Sequence, residues 1–125
     1  MSKILENLKY SKSHEWVKVD GKIATIGISD YAQHSLGNVV YVEANEVGEI
    51  TSQFEPCGVI ESVKAASDIL APVSGKIIAV NNDVVDSPEL INEDCYSNWI
   101  LKVELSNPNE LEALLDAKSY QAECH

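Results

Sequence analysis

Lys64 has the clearest claim to chemistry, because it is the only lysine or arginine between Lys22 and Lys76. It falls between two strand-like runs, Gly58-Val59-Ile60-Glu61-Ser62-Val63 and Ile69-Leu70-Ala71, where a hairpin would turn and leave its amine in solvent. Composition alone favours an ordinary exposed lysine at a turn, and nothing in residue spacing marks the amine for modification. The other reactive side chains are dispersed. His14, His34 and His125 share no motif, no serine stands in a nucleophile elbow, and the six glycines never cluster into a phosphate-binding pattern. Cys57, Cys95 and Cys124 form no CxxC pair and no zinc-like spacing, so free, partly buried thiols in a reducing compartment are expected. Cys124-His125 offers two metal ligands at a chain end, too few for a firm site. Carboxylates are plentiful, but abundance is poor evidence for an acid–base dyad. An autonomous enzyme is not expected.

Charge narrows the partners. Twenty acidic residues face nine lysines and no arginine, a net charge of −11. Nucleic acid is excluded as a partner, since phosphate contacts need basic side chains. The acids are unevenly placed. Asp30, Glu43, Glu46, Glu49, Glu55 and Glu61 lie between Lys22 and Lys64, and Asp83, Asp86, Glu89, Glu93 and Asp94 between Lys76 and Lys102. These stretches serve either as solvated faces of a soluble monomer or as contacts for basic partners, which salt would weaken.

The elements that must position Lys64 read as short strands broken by turns. Trp16 to Val19 and Ile23 to Ile28 flank an Asp20-Gly21 turn, a good hairpin signal. Ser29-Asp30 caps a short helical stretch from Tyr31 to Leu36, which Gly37 stops. Strands follow at Asn38 to Glu43, on either side of Lys64-Ala65, and at Lys76 to Val80 after a Pro72-Val73-Ser74-Gly75 turn. Ser87-Pro88-Glu89-Leu90 predicts one helical turn, and Trp99 to Leu105 a last strand. Asn107-Pro108-Asn109-Glu110 resembles a capping box. With Leu111, Leu114 and Leu115 behind it, the spacing predicts a helix from about Pro108 to Lys118. The expectation is one β-rich domain over residues 1–125, with short helices and a closing C-terminal helix. The longest aliphatic run, Ile77 to Val80, is too short to span a bilayer, and residues Met1 to Tyr10 hold no signal-peptide core. A bacterial cytoplasmic address follows by default, or a mitochondrial one if a transit peptide was removed.

Glu61-Ser62-Val63-Lys64-Ala65-Ala66-Ser67-Asp68, followed by Ala71-Pro72-Val73-Ser74-Gly75, resembles the lipoyl-attachment region of glycine cleavage H proteins. Lys9-Tyr10, Ser13-His14-Glu15-Trp16-Val17, the block from Thr25 to Gln33 with Leu36-Gly37, Val80-Asn81 and Leu90-Ile91-Asn92 continue the likeness in order. The resemblance implies a lipoyl-domain-like barrel-sandwich hybrid of antiparallel strands. It implies lipoate in amide linkage to Lys64, and a swinging arm that is a substrate of other enzymes. Glycine decarboxylase would load an aminomethyl group on one arm sulfur. An aminomethyltransferase would pass the carbon on, dihydrolipoyl dehydrogenase would reoxidise the dithiol, and a lipoate ligase or lipoyl/octanoyl transferase would attach the arm. The resemblance also assigns Ser13, Glu15 and Asp68 to a pocket for the loaded arm, where their ordinary role would be to cap backbone groups.

Glu43-Ala44-Asn45-Glu46-Val47-Gly48, Asp94-Cys95-Tyr96-Ser97-Asn98-Trp99 and Leu70 depart from the family pattern. These departures are expected on surface loops, where they bear on partner choice. An H-like protein that relays lipoate or carries another thiol-linked intermediate is therefore the alternative reading. A biotin carrier fits less well, since Val63-Lys64-Ala65 stands where biotin carriers have Met-Lys-Met. An unmodified binding module is the remaining alternative.

Overall fold

The computed structural model describes residues 3–124. Among these residues nine strands form two antiparallel sheets. The larger contains β1 (Lys9–Tyr10), β2 (Glu15–Asp20), β3 (Ile23–Ile28), β9 (Leu101–Leu105), β8 (Gly75–Val80) and β5 (Ile50–Thr51), in that spatial order. The smaller contains β4 (Val39–Ala44), β6 (Pro56–Ser62) and β7 (Ala66–Leu70). Period-two alternation turns Ala24, Ile26, Ile60, Ile77, Leu101 and Val103 inward, all 2% exposed or less. They meet between the sheets in one apolar cluster. This is the mainly β, sandwich-like architecture expected from the short, turn-separated strands. Among the described residues no helix is long and apolar enough to cross a membrane.

Local signals hold where they rest on backbone chemistry. The β2–β3 hairpin pairs Asp20 with Ile23, so Gly21-Lys22 forms the loop, one residue beyond the expected Asp20-Gly21 step. Gly21 supplies the left-handed φ of 64° that a side chain would resist. Helix α1 (Asp30–Leu36) is capped by Ser29, whose side chain accepts from Ala32 N, and ends at Gly37 with φ 80°.

Four expectations need correction. The chain from Pro108 to Lys118 is not one helix. A 3-10 helix covers Pro108–Ala113, and a separate helix, Ala117–Glu123, follows. Asn107 does cap, accepting from Asn109 N. Glu110, however, accepts from Ser74 N and Ser74 Oγ at 2.7 Å each instead of closing the box. Leu115 then pairs with Tyr10 in both directions at 2.8 Å, a bridge incompatible with helix continuation. The second correction concerns residues 81–93. A helix at Asn82–Asp86, unforeseen in the sequence, buries Val84, and the next helix starts at Leu90 after the Ser87-Pro88-Glu89 turn. In chain order these helices are α2 (Asn82–Asp86), α3 (Leu90–Glu93) and α4 (Ala117–Glu123). The third concerns the departures expected on surface loops: Cys95 is 4% exposed, with its carbonyl accepting from Trp16 Nε1 at 3.1 Å, and Glu43-Ala44 and Leu70 lie on strands β4 and β7. Strand β9 also begins at Leu101, not Trp99, whose carbonyl takes a bond from Asn81 Nδ2.

Close strand contact at β8–β9 yields a stability prediction. A Cβ on Gly75 would lie 2.1 Å from the Glu104 carbonyl oxygen, whereas one on Gly21 would meet nothing within 4 Å. Gly75→Ala should therefore cost about 1–3 kcal/mol or more through forced strand separation. Gly21→Ala should cost roughly 1 kcal/mol through backbone strain alone. Urea denaturation of both variants checks the order.

Candidate functional site

The β6–β7 hairpin places Lys64 at its tip, and Ser62 fixes the turn. Ser62 N donates to the Ala65 carbonyl at 2.7 Å, and Ser62 Oγ accepts from Lys64 N at 3.3 Å and Ala65 N at 3.1 Å. Val63 N reaches across to the Asn38 carbonyl at 3.1 Å. The backbone is thus tied on both sides while the Lys64 side chain is exposed. Its stem passes the end of α1, where Lys64 Cε lies 3.5 Å from the position a Cβ on Gly37 would take.

Beside this turn runs a cleft of about 200 Å³. Ser13, His14 and Glu15 form one wall, Ala32, Ser35 and Leu36 of α1 another, and Ser67 and Asp68 of β7 a third. The three residues singled out in the sequence, Ser13, Glu15 and Asp68, therefore line one cavity. Asp68 lies four residues beyond Lys64, at most about 14 Å along a fully extended chain, a span that a lysine acylated by an eight-carbon acid covers.

Glu15 is the unusual member, a carboxylate only 3% exposed. Ser11 Oγ donates to its Oε1 at 2.7 Å, Ser13 Oγ donates to the same oxygen, and Leu70 N donates to Oε2 at 3.2 Å. No lysine approaches it to form a salt bridge among the described residues. Burial raises its pKa, and the bonds from Ser13, Ser11 and Leu70 offset that only in part. The cleft thus holds a desolvated acceptor that a cation would relieve. Asp68 stands at the exposed rim, so the two carboxylates differ in solvation. Beyond Ser13 the surface continues into a more apolar hollow of about 360 Å³, lined by Lys12, Phe54, Leu70 and Ala113.

The cysteines offer no nucleophile here. Burial, with the Glu15 charge behind it, pushes the Cys57 thiol up to about 12, and burial pushes Cys95 to about 12. All three are free. Among the described residues no three of His, Cys, Asp and Glu converge on a metal position, and His125 of the Cys124-His125 pair lies outside those residues.

A family model described as Glycine cleavage H-protein matches residues 8–125. The chain belongs to that family. It is 55% identical to the glycine cleavage system H protein of Alkaliphilus oremlandii over 122 residues, 98% of this chain and 96% of the relative. It is likewise 55% identical over 124 residues to glycine cleavage system H protein 2 of Pseudomonas putida, covering 98% of this chain and 97% of that one. The crystal structure of a glycine cleavage system H protein from Mycobacterium marinum superposes with a TM-score of 0.88 at 36% identity, over 96% of this chain and 98% of the other.

Sequence reading missed two parts of the site. His14 lines the cleft, and Tyr120, from the far end of the chain, bonds to it through Nδ1 at 2.7 Å. His14 was visible as the centre of Ser13-His14-Glu15, but nothing in the sequence pairs it with a residue 106 positions away.

The raised Glu15 pKa gives a pH dependence with a definite sign. Unfolding restores the ordinary value, so the ionised, buried form costs stability once pH exceeds the folded-state pKa. Wild type should gain on Glu15→Gln as pH falls from neutral through the raised pKa, by at most about 1.4 kcal/mol per pH unit, and level off below the ordinary glutamate range. Paired denaturant titrations across pH measure that difference. A difference that shrinks on acidification contradicts it.

Proposed function

We propose that this chain is a lipoyl-lysine carrier of the glycine cleavage system. It would take the aminomethyl group of glycine from glycine decarboxylase, yield it to the aminomethyltransferase and be reoxidised by dihydrolipoyl dehydrogenase. In this reading it is a protein-bound cofactor carrier, a substrate of its partners and not an enzyme. Its address would be the bacterial cytoplasm. The observation that carries the reading is the exposed Lys64 on a fixed turn, four residues before a cleft wall, in a cleft that holds a buried carboxylate with no cation beside it.

Lipoate, in amide linkage to Lys64 Nζ, would supply the dithiol that bears the cargo. The chain's own residues do the rest. The turn offers the amine to a ligase or transferase without unfolding anything. The cleft walls from Ala32, Leu36, Ile60 and Ile69 exclude water from the arm's end. Glu15 accepts from the cationic amine, with Ser13 and Asp68 as further oxygen acceptors. Docking a cation there supplies the charge partner that the fold withholds from Glu15. The Cys95 departure from the family pattern is buried, which removes one reason to expect different partners.

Lys64→Arg keeps the charge but offers no acylable amine. Intact mass of protein from lipoate-supplied cells should show one adduct on wild type and none on the variant. An adduct mapped to Lys76 contradicts the assignment.

Exchange of bicarbonate with the glycine carboxyl carbon tests the pairing with glycine decarboxylase. It should depend on the lipoylated chain and slow as ionic strength rises, since the acidic stretches Glu43 to Glu61 and Asp83 to Asp94 would face basic surfaces. A lipoylated, folded chain that supports no exchange overturns the proposal.

A further inference from the structure

The aromatic node at the back of the cleft belongs to none of the roles assigned so far. Tyr120 of α4 is fully buried, and its ring stacks on Tyr10 with centroids 4.3 Å apart and planes 3° from parallel. Its hydroxyl lies 2.6 Å from Ser29 Oγ and 2.7 Å from His14 Nδ1. Ser29 is the N-cap of α1, the helix that forms one cleft wall, and His14 belongs to the opposite wall. One phenol hydroxyl therefore ties both walls together. His14 is committed to this arrangement by its backbone, with φ 75°, a left-handed conformation that non-glycine residues seldom hold. Its ring also packs on Tyr31 with centroids 4.6 Å apart.

We infer that Tyr120 is a positioning residue for the arm cleft, orienting His14 so that the imidazole Nε2 serves as a further acceptor for a docked cationic amine. The inference rests on the carrier reading. The hydrogen bonds make it workable. With Nδ1 protonated, His14 donates to the Tyr120 oxygen, Tyr120 donates to Ser29 Oγ, and the lone pair on Nε2 is left for the cleft. Ser29 Oγ can take that bond alongside the one from Ala32 N because a hydroxyl oxygen has two lone pairs. Among the described residues Nε2 is bonded to none.

The charged and titratable groups around the ring are Glu15 on the same wall, Asp68 across the cleft, Tyr31 on α1, and Tyr120 and Glu123 on α4. Burial, only partly countered by Glu123, holds the imidazole below the ordinary histidine range, so it is neutral and able to accept at neutral pH. Protonation on acidification would turn that acceptor into a cation facing the amine.

Two substitutions separate positioning from structure. Tyr120→Phe keeps the stack on Tyr10 and removes only the hydroxyl. His14→Asn tolerates the left-handed backbone and puts an amide where Nδ1 was, but has nothing in place of Nε2. The first readout uses the unmodified protein. Ring-nitrogen NMR should show the His14 shifts and titration midpoint displaced in Tyr120→Phe, and identical spectra would overturn the positioning role. The second uses the lipoylated proteins carrying the aminomethyl cargo. Both variants should lose it on the order of tenfold faster than wild type at about pH 7.5, the factor that about 1.4 kcal/mol represents. As pH falls below the ordinary histidine range, wild type should show an acceleration that His14→Asn lacks, because only the imidazole differs between the two. Equal lifetimes, or the same pH profile in both, would overturn the Nε2 contact. If wild type itself accepts no lipoate, the carrier reading fails, and the NMR comparison still decides whether Tyr120 orients His14.

Discussion

The buried Glu15 carboxylate ties the two sheets together. It sits on β2 of the large sheet, yet its Oε2 accepts from Leu70 N at the end of β7 in the small one. With no cation beside it, the carboxylate is held by oriented dipoles, and those dipoles dictate the loop before it. Ser11 accepts from Glu15 N, donates to Glu15 Oε1, and pairs its own N–H with the Glu15 carbonyl. Closing four residues that tightly leaves His14 in the left-handed region. The strained backbone and the acceptor-lined cleft are thus consequences of burying one acid.

That burial also explains how a very acidic chain can discriminate among charged guests. A net charge of −11 attracts any cation over a distance, but exposed carboxylates hold none firmly because water screens them. A desolvated carboxylate behaves differently. Its raised pKa records free energy that a fitting cation recovers and a neutral group does not. In the carrier reading, the charge on the arm's end decides whether the arm shelters or swings, and no lid is needed.

The sequence was most legible where one residue's backbone chemistry decides the outcome. Ser29 and Gly37 bounded α1, Gly21 turned the first hairpin, and the alternation of Ile23 to Ile28 gave β3 its buried face. It was least legible where a distant partner competes for a local group. Glu110 looked like a capping residue until Ser74, 36 positions away, took its carboxylate. Leu115 fitted a helical stripe until Tyr10 took its backbone. The cleft divides the same way. Ser13, Glu15 and Asp68 came from resemblance, and Lys64 stood out only as a lone lysine at a turn, because residues 13–15 and residues 67–69 belong to different sheets and meet only where these pack together. Tyr120 carried no signal, since its place depends on the bridge at Leu115 that ended the expected helix.

A carrier has opposing mechanical needs, and the Lys64 hairpin meets them in different parts of one residue. The side chain must be free enough to reach several active sites. Its root must be fixed, because a wandering root would spread the arm's end over a larger volume and lower its effective concentration at each site. Ser62 fixes the root with four hydrogen bonds to Lys64 and Ala65, and Asn38 adds a fifth through Val63. None of these bonds involves the Lys64 side chain. Gly37 contributes from the other side through the φ of 80° with which it ends α1 beside the lysine stem, since a Cβ there would make only ordinary contact with Lys64 Cε. In the carrier reading the hairpin would therefore set where the arm starts, and the buried acid in the cleft would set where it rests.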